Sequence, residues 1–81
     1  MKRVLKFYAP WCAPCKMLTK VLEDIKTEVQ IENINIDEND EISKKYNIRS
    51  IPTMIMVDGD NEIKRKIGMI TKTDLEAWLN G

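Results

Sequence analysis

Cys12 and Cys15 are the only cysteines of the chain, and Ala13 and Pro14 separate them. Two thiols at this spacing can close to a disulfide and reopen, exchanging two electrons with another disulfide. After the pair, apolar residues recur at Met17, Leu18, Val21, Leu22 and Ile25. These offsets mark one face of an amphipathic helix. Cysteines three apart in a first helical turn meet disulfide geometry, with Cα atoms ~5–6 Å apart. A helix N-terminus offers free N–H groups and partial positive charge, and both favour a thiolate. In such a setting a thiol pKa falls from ~8.5 to around 7. Cys12, at the exposed tip, is expected to attack a disulfide. Cys15, one turn inside and more buried, is expected to resolve the mixed disulfide.

Other uses of the pair fare worse. As a structural staple it closes a tiny loop, worth only roughly 2 kcal/mol of chain entropy. A metal centre needs about four ligands, and one cysteine pair in a chain with no histidine supplies two. The missing histidines also exclude Ser-His and Cys-His nucleophiles and a histidine pH switch. The candidate catalytic residues are therefore Cys12 and Cys15, with no metal.

The surrounding pattern is that of an α/β chain. Val4 to Tyr8 predicts a strand delivering the chain to the cysteines. The helix that follows is expected from about Cys12 to about Glu28, with Pro14 in its first turn, where a missing N–H costs nothing. Ile31 to Ile36 predicts a second, more polar strand. Asp37, Glu38, Asp40 and Glu41 precede Lys44 and Lys45, a charge order that suits a short helix. Thr53 to Val57 is nearly all apolar and reads as a central strand buried on both faces. Asp58-Gly59 is a hairpin signal. Glu62 to Ile67 follows as a half-exposed edge strand, with Lys64, Arg65 and Lys66 on a solvated face. Thr71 to Asp74 forms a capping box opening a last helix, in which Leu75, Trp78 and Leu79 make the apolar stripe. The expected order is β-α-β-α-β-β-α, a four-stranded mixed sheet flanked by three helices.

Composition bounds the rest. At 81 residues and 9.4 kDa, residues 1–81 are expected to form a single domain. Thirteen basic residues balance thirteen acidic ones, which argues against a nucleic-acid footprint. The longest apolar run, Met54 to Val57, is too short to cross a membrane. Two cysteines and no visible signal peptide predict a soluble protein of a reducing cytoplasm, and nothing marks an oligomer, so a monomer is expected.

Two separated segments resemble the thioredoxin family. Phe7-Tyr8-Ala9-Pro10-Trp11-Cys12-Ala13-Pro14-Cys15-Lys16 is similar to its active-site segment. Asn47-Ile48-Arg49-Ser50-Ile51-Pro52-Thr53 is similar to the segment that holds its cis-proline, at a matching spacing, and Gly68 resembles the glycine after its last strand. The resemblance runs over nearly the whole chain. It implies a thioredoxin-like fold, Cys12 as nucleophile, Cys15 as resolving thiol and a cis bond between Ile51 and Pro52. It implies a substrate groove of Trp11, Ala13, Pro14, Ile51, Pro52, Gly68 and Met69, in which an extended client segment pairs with the Ile51 backbone. It also implies no bound cofactor: electrons pass through the Cys12–Cys15 disulfide, from NADPH by way of a flavin thioredoxin reductase to disulfides of client proteins.

The chain departs from that family in three places. The usual first strand and helix are missing, which brings the length nearer to glutaredoxin. Ala13 stands where the family has glycine. Lys6 and Asn33 stand where it has a buried acid and a lysine. Lys6 has two readings: a cation that lowers the thiol pKa values, or a lysine whose stem packs while its amine reaches water. The activity expected is protein-disulfide reduction. A glutathione-dependent, glutaredoxin-like reductase is the alternative, and a non-catalytic binding subunit is a third reading.

Overall fold

The computed structural model describes residues 1–81, and its central strand is the one that leads to the cysteines. β1 (Lys2–Tyr8), α1 (Ala13–Glu23), β2 (Gln30–Asn35), α2 (Asp40–Lys45), β3 (Thr53–Asp58), β4 (Asn61–Ile67) and α3 (Lys72–Asn80) follow in that order. The sheet runs β2-β1-β3-β4. β1 pairs in parallel with β2 and antiparallel with β3, and β3 pairs antiparallel with β4. The predicted order and mixed sheet are thus present.

Strand alternation divides the core in two. Val4, Met54 and Met56 face α1 and α3, where they meet Leu18, Ile25, Leu75 and Leu79. Leu5, Phe7, Ile55 and Val57 face the other way and pack with Ile34 and with Tyr46, which closes α2. The Phe7 and Tyr46 rings lie 6.1 Å apart in a tilted pair. Burying a side chain such as Leu18, which is 0% exposed, contributes about 1.5–3 kcal/mol.

Three details differ from the expectation. α1 stops at Glu23 rather than near Glu28. The N–H groups of Asp24 and Ile25 donate to the carbonyls of Val21 and Leu22, which tightens the last turn. Thr27 Oγ1 then accepts from Val29 N–H, turning the chain toward β2, while Ile25 stays buried beyond the helix end. On β4, Ile63 and Ile67 are exposed, and Lys64, Arg65 and Lys66 are half-buried rather than solvated. The cause is specific pairing. Lys64 lies over the Trp78 ring and donates to the Trp78 carbonyl. Arg65 donates to Glu62 and to the Tyr46 carbonyl. Cys12, expected at an exposed tip, is buried; the reason lies in the site itself.

The two connections that matter for the site both depend on left-handed residues. After α2, Asn47 has φ 54. Its N–H donates to the Lys44 carbonyl and that of Ile48 to the Ser43 carbonyl, a Schellman closure that turns the chain toward Pro52. After β4, Gly68 has φ +81, a conformation that disfavours a side chain even though the space around it is open.

Candidate active site

β1 ends at Tyr8, and its carbonyl accepts from Ile36 N–H after β2, so both strands stop together. The chain then turns through Ala9 to Trp11, with Cys12 N–H donating to the Ala9 carbonyl. Cys12 is the N-cap of α1, in extended conformation, and its Sγ accepts from Cys15 N–H at 3.2 Å. Ala13 and Pro14 fill the first two helical positions. No acidic residue stands in the first turn to oppose negative charge on sulfur.

Cys12 and Cys15 are joined as a disulfide, with Cα atoms 5.3 Å apart. Cys12 is 5% exposed and Cys15 3%. The Cys12 sulfur folds back over the helix end as its cap, and the pair packs with Ala9 against Tyr8, Ile36 and Ile51. The expected difference in burial between the two sulfurs is therefore nearly absent in this oxidised form. Their surroundings differ instead in kind.

One side is an apolar rim. The Ile51–Pro52 bond is cis, and Pro52 is buried beside half-buried Ile51. Gly68 N–H donates to the Pro52 carbonyl at 2.9 Å, which fixes the β4–α3 loop against the proline. Thr53 Oγ1 donates to the Ser50 carbonyl and anchors the start of β3. Met69 and Trp11 stay exposed, Trp11 at 69%. Trp11 Nε1 donates to Asp37 at 3.1 Å, so the indole is held while its face remains open.

The other side is polar. Lys6 faces α1 and is 4% exposed. Its Nζ donates to Thr19 Oγ1, and Thr19 Oγ1 donates to the Cys15 carbonyl at 3.1 Å. Burial pushes the Lys6 amine below its ordinary value of 10.5, and the Glu23 carboxylate only partly opposes that. Tyr8, Cys15, Thr19, Lys20 and Glu23 are among the residues lining a cleft of about 370 Å³. Lys6, Tyr8, Thr19 and Asn33 line a neighbouring one of about 240 Å³.

The chain's expected site residues thus separate into a front (Trp11, Ala13, Pro14, Ile51, Pro52, Gly68, Met69) and a back (Lys6). Sequence reasoning passed over Asp37 and Thr19. Asp37 lay in an acidic stretch read only as helix capping. Thr19 had a usable signal: it is one turn beyond Cys15, on the same helix flank. No three or more His, Cys, Asp or Glu side chains converge as a metal site. No helix is long and apolar enough to cross a membrane.

The chain is similar in sequence and fold to known proteins. A family model described as Thioredoxin matches residues 1–81. Thioredoxin of Rickettsia bellii (strain RML369-C) is 41% identical over 81 residues, covering 95% of this chain and 77% of that protein. Thioredoxin of Chlamydia pneumoniae is 41% identical over 80 residues, covering 95% and 78%. Among solved structures, a mutant thioredoxin from Halobacterium salinarum NRC-1 superposes with a TM-score of 0.88 at 28% identity, over 96% of this chain and 71% of that one.

Proposed function

The chain belongs to the thioredoxin family, and from that premise we propose how its residues divide the work of disulfide reduction. The protein is a thiol–disulfide oxidoreductase of the thioredoxin type. The family model and these relatives name thioredoxin rather than glutaredoxin. Cys12 is the attacking thiol and Cys15 the resolving one. The observation that carries this reading is the Cys12–Cys15 disulfide at the N-terminus of α1, with Cys12 as the cap.

In the reduced protein the Cys12 thiolate attacks one sulfur of a client disulfide. A bond forms between Cys12 Sγ and that sulfur, and the other client sulfur leaves as a thiolate. Cys15 thiolate then attacks Cys12 Sγ, closing the Cys12–Cys15 disulfide and releasing the second client thiolate. Two electrons pass to the client, and its sulfurs take their protons from water. The donated Cys15 N–H stabilises negative charge on Cys12. The client lies as an extended segment along Ile51, pairing with its backbone, while Trp11, Pro52, Gly68 and Met69 supply the apolar floor and Ala13 and Pro14 the near edge.

Electrons are supplied by NADPH through a flavin thioredoxin reductase, and residues 1–81 act as a single domain and a monomer in the cytoplasm. The test is insulin reduction with NADPH and a thioredoxin reductase, run beside the same assay with glutathione and glutathione reductase. Turnover in the first is expected. Turnover only with glutathione would replace this electron route by the glutaredoxin-like one.

A further inference from the structure

The groups behind the disulfide have no part in the exchange described above. Lys6 is a lysine almost closed off from solvent, on the central strand, directly under the helix that carries the cysteines. Its amine is tied to Thr19, and Thr19 is tied to the peptide of the resolving cysteine. Two hydrogen bonds in series leave Nζ within about 6 Å of the Cys15 carbonyl oxygen. A buried ammonium is costly unless an opposite charge compensates it. In the disulfide state neither sulfur is charged. From α1, Glu23 is the one acid acting on Lys6, while Lys16 and Lys20 carry its own sign. β1 contributes only the Tyr8 ring, with Nζ 5.9 Å from its centre. The paired residues on β2 and β3 are Asn33 and Met54, both uncharged. α3 adds Leu75 and Leu79 to this face, again uncharged.

Reduction adds a second opposite charge beside that of Glu23. We propose that the Lys6 ammonium is the counter-charge of the Cys15 thiolate, with Thr19 holding the amine against the turn that carries the resolving cysteine. Lys6 is then a positioning residue for the second half of the exchange, and this rests on the reading that Cys12 and Cys15 are an exchanging pair. It keeps its protons throughout: Cys15 Sγ attacks as the thiolate, the bond between Cys12 Sγ and the client sulfur breaks, and the departing client thiolate is protonated by water. The effect falls on Cys15 rather than Cys12 because the Cys12 sulfur already has its own donor in Cys15 N–H, at the front. Coupling of two charges is reciprocal, so the thiolate steadies the ammonium as much as the ammonium steadies the thiolate.

Each cysteine can be read alone. In Cys12→Ser protein, the Cys15 thiolate is followed by its ultraviolet absorbance as pH is raised, with and without Lys6→Met. Lys6→Met is expected to raise the Cys15 midpoint by about one pH unit, a tenfold loss of thiolate below it. Lys6→Arg, which keeps the charge, restores most of it. In Cys15→Ser protein the same Lys6→Met change moves Cys12 much less. An unmoved Cys15 midpoint, or equal shifts at both cysteines, overturns the proposal. A second measurement needs no substitution at Lys6. The NMR titration of its side chain in the native sequence should show a higher midpoint in the dithiol than in the disulfide form, and identical midpoints overturn the proposal. Insulin reduction by the native sequence is measured in parallel. Full activity beside an unmoved Cys15 titration removes Lys6 from the mechanism and leaves the oxidoreductase intact. A shifted titration without activity upholds the charge pairing and discards the exchange it was meant to serve.

Discussion

The two sides of the disulfide are built by opposite means. At the front, the parts are largely apolar and range from buried to exposed: a buried cis-proline, a glycine with φ +81, and an exposed indole tethered at its nitrogen. At the back, the parts are polar, packed and set by side chains: Lys6 to Thr19 to the Cys15 carbonyl. A front of this kind suits clients of varied sequence, because backbone pairing and an apolar floor ask little of client side chains. A back of this kind can adjust the sulfurs without meeting the client. On the proposed reading, binding and thiol ionisation fall to different residues, and substitution should be able to separate them.

The largest effect should come from the cysteines, where the two sides meet. Cys12→Ser is expected to abolish insulin reduction and form no mixed disulfide. Cys15→Ser should also lose turnover yet accumulate a stable mixed disulfide through Cys12, visible on a non-reducing gel. Trapping by Cys15 instead would reverse the assigned roles and put the attack at the back.

Next in size is Trp11→Ala, which tests the front alone. The residue is mostly exposed, and its one side-chain hydrogen bond is to exposed Asp37. Surface changes of this kind usually stay within about 0.5 kcal/mol of stability. Loss of an aromatic anchor from a binding surface commonly costs more than 1 kcal/mol. The expected outcome is a KM for insulin raised about tenfold, which corresponds to about 1.4 kcal/mol, with the urea midpoint and both thiol titrations unchanged. A shifted thiol titration would mean the front also tunes the sulfurs.

The back leaves a mark on stability. Burial holds the Lys6 amine below 10.5 in the folded, oxidised protein. Between that lowered value and 10.5 the unfolded chain binds more protons than the folded one. Unfolding free energy from Lys6 therefore rises with pH across that alkaline window and is level above it. Urea unfolding of the disulfide form at neutral and alkaline pH should show this gain, and Lys6→Met should remove it. An unchanged pH dependence in Lys6→Met would mean that the amine is hydrated rather than enclosed.

Front and back were not equally legible in the sequence. Cys12, Cys15 and Pro14 announce themselves by type and spacing, and the apolar period from Met17 onward fixes the helix that presents them. The order of elements along the chain followed from the same local signals, because each element carries its own period and its own turn residues. The cis bond at Pro52 and the groove could be expected only through resemblance to a family, since an X–Pro bond in sequence is cis in only ~5–6% of cases. The Trp11–Asp37 and Lys6–Thr19 contacts join residues 26 and 13 positions apart, and no local pattern encodes such pairings. The inverted β4 has the same origin. Ile63 and Ile67 alternate correctly, but Arg65 and Lys64 find partners on Tyr46 and Trp78 that only the tertiary fold supplies. The overlong α1 failed for a different reason: Ile25 continues the apolar period and is buried as the period demands, yet the backbone has already left the helix.

The smallest expected effect concerns Ala13, a front residue next to Cys12. Its methyl sits at the first position of α1, exposed, beside the capping sulfur. Glycine costs up to about 1 kcal/mol in a helix interior, and less at a first position, where the intrahelical N–H bond is absent anyway. Ala13→Gly should therefore barely move the unfolding midpoint. A methylene in an enclosed pocket is worth about 1–3 kcal/mol, and on an open rim the figure must be lower. The expected gain is about two- to threefold in kcat/KM for a folded protein disulfide, with none for a small dithiol reagent in its oxidised form. That contrast places the methyl on the client's path. An equal change for both substrates, together with a moved Cys12 midpoint, would place it on the sulfur instead and would blur the boundary between the two sides.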